Sequence, residues 1–229
     1  MINKNSLMQV DTIDSTNDFI RKYLSDLPNG FIIQSNFQTK GRGQRDNQWQ
    51  SKPAQNLLFS FLIKDLPNYS YQLMYQTTVT LTSLLSQYGL FPKIKLPNDI
   101  YVQDKKIAGI LIETVVMHPH IHYIVGVGLN VNERFDGATL KATSIHQETH
   151  QKHDKIQILN DFIDHFNKVD KSKVFSLFKS YSVSLNQSVH LNNNVYELID
   201  FNDDFLCTIT DHKKTKEVPC TKLKFDLNT

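Results

Sequence analysis

The 229-residue sequence lacks the marks by which several classes of protein are usually recognised. It has neither GxxxxGK(S/T) nor GxGxxG, so neither a P-loop nor a Rossmann fingerprint is available to hold nucleotide phosphates. No stretch approaches the roughly 20 apolar residues of a membrane-spanning helix, and the start, MINKNSLMQVDTIDSTND, has no apolar run typical of a signal peptide. The net charge of +2 gives no reason to expect nucleic acid or a membrane surface as a partner. We therefore expect a cytoplasmic protein that does not bind membranes.

Cysteine is scarce as well. The two cysteines, Cys207 and Cys220, match no CxxC spacing of a zinc or redox site. Because no export signal is visible, we expect both to be reduced thiols in the core of a small β-rich region. The alternating histidines of MHPHIH could bind a transition metal on one face, but a hairpin turn explains them without a metal, and we assign no metal site.

Apolar periodicity predicts a mixture of helices and strands. Helices are expected after Ser15 or Asp14 as the N-cap, over YQLMYQTTVTLTSLLSQYG up to Gly89, and across residues 155–182. Strands are expected at GFIIQSNF, NLLFSFLI, KIKLPNDIYV, KKIAGILIETVV and HYIVGVGLNVN. In the C-terminal region the pattern predicts four short strands: SVHL, VYELIDF, FLCTIT and EVPCTKLKF. We predict one domain over residues 1–183 and a small all-β domain over 184–229.

The loop of about 19 residues that contains KGRGQRDNQW is the first polar constellation. A structureless loop of that length is uncommon unless it has a function. Its glycines allow close approach of the backbone to an anion, and Arg42 and Arg45 can each bind a carboxylate or phosphate bidentately. A basic surface turn is the alternative interpretation.

The segment KLPNDIYVQDKKIAGILIE is the second. Its PND turn presents Asp99 near one edge of the sheet. Consecutive strand residues face opposite sides, so either Lys105 or Lys106 must point inward. Gly109 leaves the inward face unobstructed for a ligand. Two ordinary hairpin turns with solvated lysines are the alternative.

The third constellation is GVGLNVN. Gly126 and Gly128 weaken a strand unless something must pack close to it. The amides of Asn130 and Asn132 can recognise a polar ring such as adenine or a ureido group. A strand that ends in a turn is the alternative.

In order and spacing, these motifs resemble those of biotin protein ligases, the enzymes that adenylate biotin and pass it to a lysine of a carrier protein. The family's STN, Q-x-x-GRG…W, KWPNDI, KxAGIL-E and GxGxNxN are similar to STN at 15–17, Gln38 with GRGQRDNQW, KLPNDI, KKIAGILIE and GVGLNVN. ATSI at 142–145 and the β-rich tail extend the likeness over nearly the whole chain. The resemblance implies an α+β fold, with a mixed β-sheet catalytic domain flanked by helices, of class II synthetase type, and a small C-terminal SH3-like β-barrel.

The resemblance also implies a reaction. Biotin would be activated by ATP to biotinyl-5'-AMP with release of pyrophosphate, and then transferred to a lysine of a biotin carboxyl carrier protein or of a biotin-dependent carboxylase or decarboxylase subunit. Mg²⁺ would bridge the ATP phosphates without an all-protein cage. Lys106 would neutralise charge on the reacting phosphorus, Arg42 would hold the carboxylate, and Asp99 would orient the acceptor lysine.

The binding residues follow from the same resemblance. The implied biotin site is formed by Ser15, Thr16, Asn17, Gln38, Gly41, Arg42, Gly43, Lys106, Gly109 and Gly126. The implied ATP and adenylate site is formed by Arg42, Arg45, Trp49, Asn98, Lys106 and Asn130, with Trp49 sealing the adenine pocket when the loop closes.

The chain also departs from the family pattern. Gln44 stands where the family often has a second arginine, and Asp46 where it often has glycine. Two alternatives therefore stay open: a lipoate ligase-type acyltransferase, which shares the fold, and a catalytically inactive protein that binds biotin or a carrier. Lipoate ligase-type acyltransferases lack the GRG…W loop that this sequence has. An inactive binding protein would need neither Arg42 nor Lys106, and this sequence has both.

Some family members carry an N-terminal winged helix-turn-helix and repress transcription. Here the STN motif lies only 15 residues from the start, so we expect neither that domain nor DNA binding. The resemblance also allows a homodimer through the central sheet, which the sequence does not decide.

Overall fold

The computed structural model describes residues 1–44, 47–66, 69–136 and 141–225. They form two β-sheets with five α-helices. The first sheet contains β1 Leu7–Ile13, β2 Ile32–Gln38, β3 Leu57–Ile63, β4 Pro92–Lys95, β5 Asp99–Val102, β6 Lys105–Met117 and β7 His120–Leu129. The helices are α1 Thr16–Lys22, α2 Ser70–Gln87, α3 Ile145–Thr149, α4 Lys155–Lys168 and α5 Val174–Tyr181. The second sheet contains β8 Ser188–Leu191, β9 Asn194–Phe201, β10 Leu206–Thr210, β11 Thr215–Pro219 and β12 Lys224–Phe225.

The first sheet is mixed and has the order β1-β2-β3-β7-β6-β5-β4. β1 runs parallel to β2, and every other pair is antiparallel. Helices cover both faces: Phe61 of β3 belongs to the cluster packed against α2 and α4, whereas the adjacent Leu62 packs against Ile20 of α1. This arrangement confirms the expected α+β fold with helices flanking a mixed sheet.

The second sheet has the order β11-β10-β9-β8-β12 and shares a core with the first part of the chain. Phe201 and Leu198 of β9 belong to the same buried cluster as Tyr75 of α2, Ile94 of β4 and Phe178 of α5. Up to Phe225 the outer strands β11 and β12 are not paired with each other. The small all-β region predicted at the C-terminus is therefore present, but over the described residues it is an open sheet and not a closed barrel.

Several element boundaries differ from the expectations. KIKLPNDIYV was expected as one strand, but it forms the hairpin β4–β5 because the chain reverses at Leu96–Asn98 and pairs Lys95 with Asp99. The helical pattern of 155–182 divides into α4 and α5, with Val169 as the C-cap of α4. EVPCTKLKF divides into β11, a 3-10 turn at Cys220–Lys222, and β12.

The expectation of reduced cysteines is also wrong. Cys207 and Cys220 are joined in a disulfide, with their Cα atoms 5.4 Å apart. Both are fully buried in the core of the second sheet. They meet because β11 folds back beside β10 and the 3-10 turn follows it directly. A search for CxxC spacing does not find such a pair, because the two residues are 13 positions apart.

None of the helices in the described part of the chain is long and apolar enough to cross a membrane.

Candidate active site

A cavity of about 310 Å³ lies where α1, the loop after β2, the β4–β5 hairpin and the middle of β6 and β7 meet. It gathers residues from all three polar constellations of the sequence. Of the sequence-predicted site residues, those that line it are Ser15, Thr16, Asn17, Gln38, Arg42, Gly43, Trp49, Asn98, Asp99, Lys106, Gly109 and Gly126. Leu223, which precedes β12, and Phe225 of β12 also line it. The residue types predicted to act together therefore share one cavity.

Two of the remaining predicted residues, Gly41 and Asn130, do not line the cavity. Gly41 lies behind the cavity, where its carbonyl oxygen accepts a hydrogen bond from Trp49 N–H at 3.0 Å. Asn130 is buried and does not line the cavity, because its Nδ2 donates to the Thr143 carbonyl oxygen at 3.0 Å. Arg45 lies outside the described residues.

The β5–β6 hairpin presents an ion pair to the cavity. Lys106 Nζ lies 2.7 Å from Asp99 Oδ1, and both side chains are mostly buried. Lys106 is thus the one of the two consecutive lysines that lines the cavity. Its backbone is fixed from the other side, since Lys106 N–H donates to Lys141 O and its carbonyl oxygen accepts from Thr143 N–H, both at 2.9 Å. The ammonium group therefore projects from a well-anchored strand.

Tyr101 lines the cavity beside this pair. Burial, reinforced by the negative charge of Asp99, raises the pKa of Tyr101 to about 12. Its phenol therefore stays protonated at neutral pH and adds no charge to the site.

The inward face of β6 and β7 is covered by the only tryptophan of the chain. A Cβ at Gly128 would overlap the Trp49 indole, and one at Gly109 would lie 3.0 Å from it. Gly109 was expected to leave this face open for a ligand, and Gly128 to allow something to pack close to the strand. The space at both glycines is instead occupied by the protein's own indole, which lies beneath Lys106 with Nζ 5.4 Å from the ring centroid. The indole Nε1 is buried and has no hydrogen-bond partner among the described residues.

Thr16, Asn17 and Gln38 line the cavity and are connected by hydrogen bonds to Ser60 and Glu113, which do not line it; we call these five side chains the polar floor. Thr16 donates from its backbone N–H to Gln38 Oε1 at 2.8 Å, and its Oγ1 lies 3.0 Å from the same oxygen. Thr16 Oγ1 lies 2.6 Å from Ser60 Oγ, which donates to Asn17 Oδ1 at 2.5 Å. Asn17 Nδ2 donates to Glu113 Oε2 at 2.6 Å.

Ser15 holds the floor in place through helix α1. Its side chain caps the helix by accepting from Asp18 N–H at 3.3 Å, as the sequence predicts for an N-cap serine. The adjacent Thr16 and Asn17 are then fixed on the first turn, facing β3 and β6. A Cβ at Gly126 of β7 would lie 2.5 Å from Asn17 Oδ1, so glycine is required there.

Arg42 is held by two carboxylates. Its guanidinium lies 2.5 Å from Asp18 Oδ1 and 3.1 Å from Glu113 Oε2, while Arg21 approaches the other Glu113 oxygen at 2.8 Å. Neither Asp18 nor Glu113 was predicted from the sequence to belong to the site. The signal was present for Glu113, because it is the last residue of the KKIAGILIE motif.

The described residues contain no group of three or more His, Cys, Asp or Glu side chains that could hold a metal ion.

A sequence model of the biotin/lipoate A/B protein ligase family matches residues 9–130, more than half of the chain. The chain belongs to this family.

Curated relatives agree with this family. Biotin–protein ligase 1, chloroplastic, of Arabidopsis thaliana is 34% identical over 128 residues, covering 52% of this chain and 35% of that protein. The bifunctional ligase/repressor BirA of Escherichia coli strain K12 is 30% identical over 133 residues, covering 56% of this chain and 41% of that protein. The chain thus spans less than half the length of these relatives.

Solved structures show the same fold. A biotin protein ligase from Aquifex aeolicus, in complex with biotin and ATP, superposes with a TM-score of 0.81 at 22% identity, covering 96% of this chain and 98% of that one. The biotin acetyl coenzyme A carboxylase synthetase of Helicobacter pylori, with bound biotinylated ATP, gives a TM-score of 0.66 at 21% identity, covering 93% and 99%. The biotin ligase-like fold therefore extends over both sheets.

Proposed function

We propose that this protein is an ATP-dependent biotin protein ligase. It activates biotin to biotinyl-5'-AMP, releases pyrophosphate, and transfers biotin to a lysine of a carrier protein. The observation that carries the proposal is one cavity lined both by uncharged polar side chains of the floor, Thr16, Asn17 and Gln38, and by two cations, Arg42 and Lys106. Binding of a neutral ring needs the floor, whereas activation of a carboxylate by a nucleotide needs the cations.

The polar floor suits the ureido ring of biotin. A cyclic urea has one carbonyl oxygen that accepts hydrogen bonds and two N–H groups that donate them. Thr16, Asn17 and Gln38 supply hydroxyl and amide groups that can do both. No full charge is needed there, and the nearest carboxylate, Glu113, is already bound to Asn17 and Arg21.

In this proposal, the carboxylate and the α-phosphate meet beside Lys106. It is preorganised by the backbone bonds of β6 and by Asp99, so its charge needs no rearrangement when the pentavalent phosphorus forms. Asp99 is in ion-pair contact with Lys106, so we assign it the placement of that ammonium group as well as the orientation of the acceptor lysine. Arg42 would hold the carboxylate once an anionic ligand replaces Asp18 as its partner.

Mg²⁺ fits this site as a companion of ATP. With no group of three acidic or His ligands in the described residues, the ATP phosphates would supply most of the oxygen ligands. When bound, Mg²⁺ neutralises phosphate charge, and Lys106 acts at the bond that breaks.

The carrier would be a biotin carboxyl carrier protein, or a subunit of a biotin-dependent carboxylase or decarboxylase. Homodimer formation and the absence of DNA binding stay predictions of the sequence. Asn130 as an adenine contact also stays a prediction, and it would require the amide to give up its bond to Thr143.

The test is pyrophosphate release from ATP and Mg²⁺ with either biotin or lipoate, followed by transfer to an isolated carrier domain. We expect release with biotin alone. Release with lipoate alone would show a lipoate ligase-type enzyme. Binding of biotin without pyrophosphate release would show an inactive biotin-binding protein.

A further inference from the structure

The hydrogen bonds of the polar floor have a direction, and Glu113 imposes it at one end. A carboxylate can only accept hydrogen bonds, so Asn17 must turn its NH₂ group toward Glu113, at 2.6 Å. Asn17 Oδ1 therefore faces Ser60 Oγ at 2.5 Å and receives the only proton of that hydroxyl. The Asn17 oxygen keeps a second lone pair, and it lies against Gly126 on the strand that lines the cavity.

The other end of the floor is fixed by a backbone group. Thr16 N–H can only donate, so Gln38 must turn its carbonyl oxygen toward it, at 2.8 Å. The Gln38 NH₂ group, a donor, is then directed away from Thr16, and Gln38 lines the cavity. The floor thus offers a donor from Gln38 and an acceptor from Asn17, which matches the carbonyl oxygen and N–H of a cyclic urea.

Glu113 also ties three parts of the site together. It is rooted in β6 with a side chain only 16% exposed, and it binds Asn17 and Arg21 of α1 and Arg42 of the loop after β2. The same loop carries Trp49, whose backbone N–H is bonded to Gly41 next to Arg42. A single carboxylate therefore connects the floor with the loop that covers the cavity.

We propose that Glu113 is a positioning residue for ligand recognition: it orients the Asn17 amide so that an acceptor faces the ligand's N–H, and it anchors the loop through Arg42. The first half rests on the proposed function, because it takes biotin as the ligand. The second half concerns the ligand-free protein and is independent of it.

The first experiment measures the dissociation constant of biotin by calorimetry for wild type and Glu113→Gln. A neutral glutamine of the same size lets Asn17 turn either way, and we expect binding to weaken about tenfold. Arg21→Met is the matched control, since it removes a cation from the same carboxylate and leaves Asn17 bound; we expect it to bind within about twofold of wild type, as for an exposed ion pair.

A charge exchange tests the orientation directly. Asn17→Asp alone places two carboxylates against each other and should weaken biotin binding more than Glu113→Gln does. In the double variant Asn17→Asp with Glu113→Gln, the amide donor comes from position 113 and the carboxylate from position 17. An acceptor oxygen at position 17 therefore still faces the Ser60 hydroxyl. We expect the double variant to bind biotin more tightly than Asn17→Asp alone, and no recovery would contradict the orientation.

The second experiment needs no ligand. Trp49 is the only tryptophan, so quenching of its fluorescence by acrylamide reports how firmly the loop is held. Glu113→Gln should raise quenching, whereas Arg21→Met should not. If wild type does not bind biotin but Glu113→Gln raises quenching, the proposed function fails and the anchoring role of Glu113 stands.

The proposal is overturned if Glu113→Gln is folded, with an unchanged melting temperature, and alters neither biotin affinity nor Trp49 quenching. Should Glu113→Gln not fold, Glu113→Asp takes its place. That variant keeps the charge but is one methylene shorter, so it cannot reach Asn17 and Arg42 together, and the same two readouts apply.

Discussion

The two sides of the cavity differ in how completely their polar atoms are bonded. On the polar floor, Ser60 and Thr16 are buried and hydrogen-bonded to neighbouring side chains. On the side of the ion pair, Asp99 Oδ1 is paired with Lys106 Nζ at 2.7 Å, but Trp49 Nε1 is buried without a hydrogen bond to any described residue. Groups left in that condition are costly unless a ligand or water meets them. We infer that the floor is built in advance, and that the side of Lys106 is completed by substrate.

The largest effect should come from Lys106. Lys106→Met removes a preorganised cation from the reacting phosphorus, so we expect adenylation to slow by about 10²–10³-fold. Biotin affinity should fall less than the adenylation rate because the floor is untouched, whereas the melting temperature should fall because Asp99 loses its ion-pair partner. Pyrophosphate release and calorimetry measure the two properties separately.

The control is Lys105→Met. It removes the neighbouring positive charge on the same strand, and Lys105 does not line the cavity. It should keep adenylation near the wild-type rate. Equal losses in both variants would show that net charge, not the position of Lys106, supports the reaction.

The second largest effect should come from Gly128. Gly128→Ala adds a methyl group that overlaps the Trp49 indole, so the loop must shift. Overpacking of this kind costs about 1–3 kcal/mol, and we expect a red shift of the Trp49 emission together with slower adenylation. Gly128→Ala with Trp49→Phe, whose smaller ring relieves the overlap, should recover part of the rate lost in Gly128→Ala. If the double variant is slower than both single variants, overlap with the Trp49 indole is not the reason for the slower adenylation of Gly128→Ala.

Much of this comparison was predictable from sequence, for a physical reason. Asp99, Lys106 and Gly128, against which the Trp49 indole packs, lie in the short motifs PND, KK and GVG. In such motifs, turn chemistry and strand alternation fix the direction of each side chain. One motif, KLPNDIYV, predicted the right neighbours from the wrong element. It was expected as a single strand, yet the hairpin β4–β5 presents Asp99 beside Lys95 at the end of the hairpin.

The polar floor was only half predictable. Thr16 and Gln38 came from the resemblance, but their connection to Ser60 and Glu113 depends on β3 and β6 lying on either side of β7. Sequence separations of 44 and 96 residues in these bonds are invisible to local patterns. β1 was missed because LMQVDTI mixes polar and apolar residues, as an edge strand can, and its residues are only partly buried or exposed.

The third prediction tests whether the floor is built in advance. Ser60→Ala removes the hydroxyl between Asn17 and Thr16, in a side chain with no exposed surface. Leaving buried polar groups unmatched costs about 1–3 kcal/mol of stability, so we expect a melting temperature lower by several degrees together with weaker biotin binding. Ser86→Ala is the control, because that hydroxyl only bonds back to its own helix at Thr82. A normal melting temperature for Ser60→Ala would mean that the floor, too, is completed only by ligand.

The smallest effect concerns Gln44, which lines the cavity in the place where the family often has arginine. A neutral amide cannot pair with a phosphate as a guanidinium does, and the difference is on the order of 1–3 kcal/mol at most. We expect Gln44→Arg to slow the release of biotinyl-5'-AMP up to about tenfold, measured by trapping the free intermediate, with adenylation itself unchanged. Gln44→Lys supplies the charge without the bidentate geometry, so its rate of biotinyl-5'-AMP release should lie between those of wild type and Gln44→Arg. If neither variant retains the intermediate longer than wild type, the side of Lys106 does not depend on position 44 for holding the adenylate.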